Sequence, residues 1–540
     1  MGNALYHLII IPIILPLAVA AVLLFFDERR HTLKLLSAII TSGLLVLVAI
    51  ALIARAKDIT PGADVYLLGN WAAPFGIVLV LDRLSAVLLL LSSCLMLGSL
   101  VYSYTHWNKA GPHFPSLMLF LLAGVNGAFL TGDLFNLFVF FEVMLTASYA
   151  LALHGSGSRR VRAGLHYIVI NLLASSLFLI GAALIYGVTG TLNMADIAAK
   201  LSAIPANDLM LFEAGAAILG VAFLVKAGMW PLSFWLPATY SAAPAPVAAV
   251  FAILSKVGIY VILRLSILIF GASASSVYGF GHNVLFYGGL VTILFGIFGV
   301  LASQALSRLA SYCILVSSGT LIATIGTGNE ALIGPAVFYL ITSTLALGAF
   351  FLLVELIERG QDSAANVLAV TMEVYGDEEE EEEDEVGLYL PATVAILGSC
   401  FAVCAILIIG MPPFSGFLAK IMLISGQLNA AEAPTAKHFV GLSDWLYVAA
   451  IILSGVAALI AMTRAGIRTF WASLEGSVPR VMVIEIAPIA GLLLICLLLT
   501  IIAGPTMRYM DVMGESLFNS YNYIGSVLGG VNELGGAGGL

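Results

Sequence analysis

The sequence predicts an all-α polytopic membrane protein of about 14 transmembrane helices, with two inverted five-helix repeats whose broken helices are the seventh and twelfth. Three observations predict it. Of the 540 residues, 61% are hydrophobic and only 10% are charged, whereas soluble proteins run nearer about half apolar and about a quarter charged. Apolar stretches of roughly 20 residues recur along the whole chain, each long enough to cross a hydrocarbon core of about 30 Å. Two of those stretches carry similar proline-bearing interruptions.

The expected spans lie near 4–26, 33–54, 75–104, 114–131, 133–153, 163–189, 208–236, 243–270, 283–303, 306–327, 331–358, 388–428, 443–470 and 484–503. The first is too long for a signal-peptide core and lacks a small-residue cleavage site, so it reads as a retained span. Spans one to three fall within 1–113, a first repeat of spans four to eight covers 114–270, and a second repeat of spans nine to thirteen covers 283–470. Span fourteen follows at 484–503, and 504–540 reads as a flexible outer tail ending in Gly-Gly-Ala-Gly-Gly-Leu.

The formal net charge of −9 has a local origin. Residues 377–385 are an unbroken acidic run inside the longest loop, 359–387, and without it acidic and basic residues balance. A like-charge block of this kind reads as a solvated loop. Lysine and arginine set the orientation. Loops after odd-numbered spans, with the adjoining span ends, carry twelve, among them Arg29, Arg30, Lys109, Arg159, Arg160, Arg162, Arg464, Arg468 and Arg480. Loops after even-numbered spans, with the tail, carry five: Arg55, Lys57, Lys200, Lys437 and Arg508. Positive loops stay in the cytoplasm, so both termini are expected outside and the acidic loop inside.

The repeat is visible as a motif. Gly228-Met229-Trp230-Pro231-Leu232-Ser233-Phe234-Trp235-Leu236 aligns without gaps on Gly410-Met411-Pro412-Pro413-Phe414-Ser415-Gly416-Phe417-Leu418, and five of the nine positions coincide. Proline removes a backbone donor and clashes with the preceding turn, so Pro231, Pro412 and Pro413 are expected to break their helices. The motifs sit in spans seven and twelve, five apart, which gives five-span units opposite membrane orientation. Broken helices at matching places in inverted halves point to a transport site near the midplane.

Ionisable residues inside the bilayer are costly, by about 2.5–3.5 kcal/mol on insertion scales, and are functional candidates by default. Glu142 lies deep in phenylalanine-rich span five, Lys226 two residues before the first break, Lys256 in the middle of span eight, and Lys420 seven residues after the second break. Loss of hydration penalises the charged forms of carboxylate and ammonium alike, so both types can load and release protons there. A Glu142–Lys226 contact would hold both charges, and breaking it would free the lysine to give up its proton. Ser317, Ser318, Thr320, Thr342 and Thr344, with water, could carry the relay from Lys256 to Lys420. A structural ion pair is the alternative for these four. Asp82, Arg83, Glu213, Arg264 and Glu355 are secondary candidates. Glu213, Arg264 and Glu355 lie nearer span ends, where snorkelling lowers the cost.

Thr131-Gly132-Asp133-Leu134-Phe135-Asn136-Leu137-Phe138-Val139-Phe140-Phe141-Glu142-Val143 resembles the fifth-helix signature of the D subunit of Mrp-type multisubunit sodium/proton antiporters. Lys226 to Pro237, Ser255-Lys256-Val257-Gly258-Ile259-Tyr260 with Arg264, and Pro412-Pro413-Phe414-Ser415-Gly416-Phe417 with Lys420 resemble that family's seventh, eighth and twelfth helices. The resemblance implies proton-path roles for Glu142, Lys226, Lys256 and Lys420, and assembly with other Mrp-type subunits in a bacterial inner membrane. The acidic run departs from the family pattern. The implied function is a proton-translocating subunit that drives sodium export with inward proton flow. The alternative is a pumping membrane subunit of a respiratory NADH:quinone oxidoreductase or related redox complex, which shares the fold. A passive structural subunit is the third reading.

The five cysteines, Cys94, Cys313, Cys400, Cys404 and Cys496, all lie in apolar segments and read as packing residues. No phosphate loop, haem motif or iron–sulfur spacing is visible, so no catalytic residue, metal site or cofactor is expected, and no nucleic-acid partner. The deep group is three lysines and one carboxylate, which suits a proton better than a dehydrated sodium ion. Sodium is therefore expected to cross elsewhere in the complex.

Overall fold

The computed structural model describes residues 6–271, 277–375, 392–429, 440–470 and 481–535. The acidic run 377–385 lies outside the described residues, as do Lys437 and Arg480. The helices run in chain order as α1 (Ile11–Leu24), α2 (His31–Ile59), α3 (Arg83–Tyr102), α4 (Phe114–Leu130), α5 (Leu134–Ala152) and α6 (Ser158–Thr189). Then come the short α7 (Met194–Lys200), α8 (Ala206–Ala227), α9 (Trp235–Ala242) and α10 (Ala245–Leu268). The second half continues with α11 (His282–Ala302), α12 (Leu306–Gly326), α13 (Ile333–Tyr375), α14 (Ala392–Ile409), α15 (Ser415–Asn429) and α16 (Leu442–Phe470). The chain closes with α17 (Val483–Ile501), α18 (Ala503–Phe518) and α19 (Ser520–Gly535).

Twelve of these helices are long and apolar enough to cross a membrane, and α1 and α4 are shorter apolar helices. Together they account for all fourteen expected spans. Their outer faces are apolar and exposed, with Leu47 64% and Phe298 71% accessible, while serines, threonines and lysines are buried within. That distribution suits hydrocarbon as the surrounding solvent.

Three expectations are corrected. The start of span three is not helical: Val78–Leu81 is a strand (β2) paired antiparallel with Asp64–Leu67 (β1), and its run of β-branched residues and leucines reads equally as strand or helix without context. Helix α3 starts only at Arg83, where Asp82 caps it by accepting from the Ser85 backbone N–H. The loop expected from 359 is helical as far as Tyr375, as a continuation of α13. The tail expected to be flexible is helical over most of its described residues, as far as Gly535. It forms α18, which buries Met510 and Met513, and α19, which buries Val527, an amphipathic pattern that the glycine content masked.

The repeat extends beyond the proline motifs. Gly124 and Gly127 of α4 leave no room for a Cβ against Met144 and Phe140 of α5, and Gly296 and Gly299 of α11 stand in the same relation to Val316 and Tyr312 of α12. One constant shift along the chain relates all four pairs. Small residues let apolar helices approach closely where no hydrophobic force joins them.

Both breaks begin before the prolines. Gly228 follows α8 at φ +78° and Gly410 follows α14 at φ +79°, a left-handed cap that glycine adopts without a Cβ clash. Met229 N–H closes onto the Leu224 carbonyl at 3.0 Å, and Met411 N–H onto Ile406 at 3.1 Å. Pro231, Pro412 and Pro413 then stand in the short connections to α9 and α15, where they cannot continue the helix. At the end of the first repeat, α10 is buried at every residue from Ala245 to Leu268. It is the helix that carries Lys256 and Arg264.

Candidate functional site

Helix α5 starts where Asp133 accepts from the backbone N–H groups of Phe135 and Asn136. Two turns further on, Glu142 is half-buried on its flank and accepts a 2.5 Å hydrogen bond from the Ser175 hydroxyl of α6. One turn before Ser175 on the same helix, Asn171 Oδ1 accepts from Lys226 Nζ at 3.3 Å. Lys226 is buried in the last turn of α8 with its ammonium 5.5 Å from the centre of the Phe141 ring. Glu142 and Lys226 therefore form no direct ion pair. The expected contact is replaced by two polar residues of α6, spaced i,i+4 so that they share a helix face.

Lys226 meets α10 through Gly258. A Cβ there would lie 2.9 Å from Ala227 N and 3.2 Å from the Lys226 carbonyl carbon. On α10, Lys256 is fully buried and donates to Ser317 Oγ at 2.8 Å and to Ser318 Oγ at 3.4 Å, both on α12. Ser317 in turn shares a 3.0 Å hydrogen bond with Ser343 of α13. Thr342 and Thr344 return their hydroxyls to carbonyls of their own helix, so Ser343 stands where threonines were expected to serve.

An internal cavity of about 30 Å³ joins these serines to Lys420, with Tyr339 and Ser454 on its wall. It is large enough for one or two water molecules. Lys420, on α15, donates to the Ile409 carbonyl at 2.8 Å and approaches that of Ile408 at 3.5 Å. Those carbonyls are the open C-terminal end of α14, where the helix dipole favours a cation. At the first break the corresponding helix end is met differently: the Trp235 indole N–H donates to the Val225 carbonyl at 3.2 Å. The four deep residues thus lie in one lateral series, α5–α6–α8–α10–α12–α13–α15.

The secondary candidates divide. Arg264 does not snorkel. It is 5% exposed and pairs with Asp82 at 2.5 Å, and its second Nη donates to the Tyr260 hydroxyl. The tail supplies Tyr523, whose ring the guanidinium faces at 5.4 Å, so the helices that were not anticipated explain why the pair is buried. Arg83 is held by the Thr60 hydroxyl, the Tyr509 carbonyl and the Tyr509 ring. Glu355 accepts from the Trp107 indole, the Ala245 backbone N–H and Arg359. Arg359 also pairs with Glu485, a buried carboxylate at the start of α17 that was not among the expected candidates. Glu213 is half-buried in the first half of α8 and makes no ion pair among the described residues.

Near Glu355 lies His154, outside the spans in the connection from α5 to α6. Its Nε2 is 3.0 Å from the Trp107 carbonyl, which makes it the protonated nitrogen. Burial, and then the neighbouring Arg160 charge, hold its pKa below the ordinary histidine value, against the opposing effect of the Trp107 hydrogen bond.

Asn171, Ser175 and Ser343 were missed because a lone hydroxyl or amide in an apolar span carries little signal. The i,i+4 spacing of Asn171 and Ser175 was the available clue. Among the described residues no group of three His, Cys, Asp or Glu side chains could hold a metal ion.

Comparison with known proteins gives a consistent result. A family model described as NADH:quinone oxidoreductase/Mrp antiporter, TM matches residues 131–442. A Rhizobium meliloti protein, named as the D subunit of a probable K(+)/H(+) antiporter, is 59% identical over 525 residues, 96% of each chain. The D subunit of the Na(+)/H(+) antiporter of Alkalihalophilus pseudofirmus is 34% identical over 533 residues, 97% of this chain and 99% of that one. A chain in the solved structure of the Mrp complex from Dietzia sp. shares the fold at a TM-score of 0.80 and 26% identity, covering 97% of this chain and 99% of that one.

Proposed function

Because this chain belongs to the NADH:quinone oxidoreductase/Mrp antiporter membrane family, we propose that it is the proton-carrying D subunit of a multisubunit alkali cation/proton antiporter. Inward proton flow along Glu142, Lys226, Lys256 and Lys420 drives export of the cation. The observation that carries this reading is the lateral series itself. Ser175 and Asn171 stand between Glu142 and Lys226, the helices of Lys226 and Lys256 approach closely at Gly258, and Ser317 and Ser343 lead from Lys256 to a water-sized cavity beside Lys420. Protons hop between such groups through hydroxyls and water, whereas a bare cation would meet repeated positive charge.

The 59% identical relative is named for potassium and the 34% identical one for sodium. The exported ion is accordingly assigned to the alkali cations as a class. The redox-driven alternative has less support, since relatives named as antiporter D subunits match this chain end to end. The arginine-bearing end of the bundle, with Arg159, Arg160 and Arg464, faces the cytoplasm of a bacterial cell in this reading, and both termini lie outside.

Partner subunits are supported by one flank of α5. Glu142 is half-buried beside Phe135 and Val139, which are 55% and 42% exposed. A carboxylate left at a lipid-facing surface is costly, and a neighbouring subunit on this flank removes the cost. The test is cation-dependent proton movement in inverted vesicles bearing the whole complex. Glu142→Gln should assemble normally and lose nearly all transport with both sodium and potassium. Normal transport by the assembled variant would remove Glu142 from the mechanism.

A further inference from the structure

Glu142 needs a route to one side of the membrane, and a second set of hydroxyls leads from it toward the arginine-bearing end. We propose that Tyr149, the Tyr167–Ser148 pair and Tyr240 form a hydroxyl relay between Glu142 and a polar vestibule at that end. This proposal rests on the proton-carrying reading above and extends it to the residues that pass the proton from Glu142 to the cytoplasmic side.

Tyr149 follows Glu142 by two turns on α5, on the same stripe, and helical side chains lean toward the N-terminus, here toward Glu142. Its ring packs edge-on against Tyr167 of α6, with centroids 5.3 Å apart. The Tyr167 hydroxyl shares a 2.7 Å hydrogen bond with Ser148 of α5. Tyr167 stacks on Trp235 at 5.2 Å, and Trp235 meets Tyr240 at 6.0 Å, both on α9. Tyr240 is 1% exposed and lines a vestibule of about 440 Å³, with Arg159, Arg160 and Glu355 on the same wall. The series thus spans the half of α5 between Glu142 and the arginine-bearing end.

Two details single out the hydroxyls rather than the rings. The hydroxyls of Tyr149 and Tyr240 are buried and have no hydrogen-bond partner among the described residues. Phenylalanine would pack as well without the cost of an unpaired buried hydroxyl. Such groups are sites for bridging water. In addition, the Ser148–Tyr167 pair recurs in the second repeat, where Tyr339 lies within hydrogen-bonding reach of Thr320. The residue shift is the same one that relates Gly124 to Gly296. Tyr339 borders the cavity beside Lys420. Each repeat therefore sets a hydroxyl pair next to its own ionisable group.

The chemistry is a proton hop with no net change at any hydroxyl. A proton from the Glu142 carboxyl group adds to the Tyr149 oxygen as that group's own proton leaves toward the Tyr167–Ser148 pair through water. The Tyr167–Ser148 pair and Tyr240 repeat the exchange, and the last proton passes to vestibule water. Rotation of the hydroxyls then restores the starting order.

The test uses inverted vesicles with the whole complex, comparing Tyr149→Phe, Tyr167→Phe and Tyr240→Phe with Glu142→Gln. Tyr186→Phe serves as a control because Tyr186 is exposed on the outer face of α6. Turnover per assembled complex should fall between about tenfold and about a hundredfold in each relay variant. The apparent affinity for the cation should not change, and the control should transport normally. Wild-type turnover per assembled complex in all three, with Glu142→Gln inactive, would overturn the relay and leave the proton path standing. A loss confined to assembly would overturn it equally. Full transport by Glu142→Gln would instead overturn the proton path and the relay together.

Discussion

Lys420 Nζ donates to the Ile409 carbonyl at 2.8 Å, at the open end of the helix that Gly410 terminates. Position in the sequence made Lys420 a candidate, but only the fold shows what holds it. The carbonyl end of a broken helix supplies partial negative charge in place of a carboxylate. Lys420→Ala should therefore abolish cation-driven proton movement while assembly persists. Lys420→Arg, which keeps a permanent charge, should also be inactive. Activity in the arginine variant would show that a fixed charge suffices and that the lysine does not release its proton.

Asn171 and Ser175 stand between Lys226 and Glu142. If they carry the coupling, Ser175→Ala and Asn171→Leu should each lower transport by about tenfold, the scale of one lost hydrogen bond to a charged group. Asn171→Asp, by placing a carboxylate on Lys226, should hold the lysine protonated and stop turnover. Transport rates in assembled vesicles provide the measurement. Unchanged rates in all three variants would mean that the two charges communicate without α6.

Asp82 and Arg264 lead to a different expectation from the four deep residues. Their pair is buried under the tail and touches none of the lateral series. Removing one partner of a buried pair costs about 3–5 kcal/mol. Arg264→Met should therefore reduce the yield of assembled complex, while turnover per complex stays near wild type. The double variant Asp82→Leu with Arg264→Met should recover yield. A collapse of turnover with normal yield would place Arg264 in the transport path.

His154 provides a pH test. Its folded pKa lies below the ordinary value, so below about pH 6.5 the unfolded chain takes up a proton that the folded chain resists. The contribution to stability is complete above that pH and is lost as pH falls. Thermal denaturation of the complex should show a drop between about pH 7 and about pH 5 that His154→Gln reduces. An equal drop in the variant would mean that His154 adds nothing to acid sensitivity.

Much of this arrangement is legible in the sequence, for reasons that particular residues make plain. A bilayer span needs a long apolar run, so the spans can be read from composition, and a charge such as Lys256 stands out against that background. The paired breaks are visible because Gly228 and Gly410 open nearly identical motifs. Partners are not legible. Whether Lys226 meets Glu142 or Asn171 depends on the rotation of α6, and nothing local records it. Arg264 misleads for a related reason: its distance from a span end can be counted, but the tail helix that brings Tyr523 over it cannot. The strand Val78–Leu81 merges into a span on sequence because four buried apolar residues satisfy either geometry.

The central claim is that this subunit carries protons and that the alkali cation crosses elsewhere in the complex. Two like unit charges 4 Å apart repel by about 4 kcal/mol at an effective dielectric near 20, a penalty a cation would meet at Lys226, Lys256 and Lys420 in turn. The most direct test is a high-resolution structure of the active complex, determined with saturating sodium and again with potassium. The account predicts a chain of ordered water through Asn171, Ser317 and the cavity beside Lys420, and a cation bound only in another subunit. A sodium or potassium ion held by oxygen ligands between Glu142 and Lys226 would contradict it.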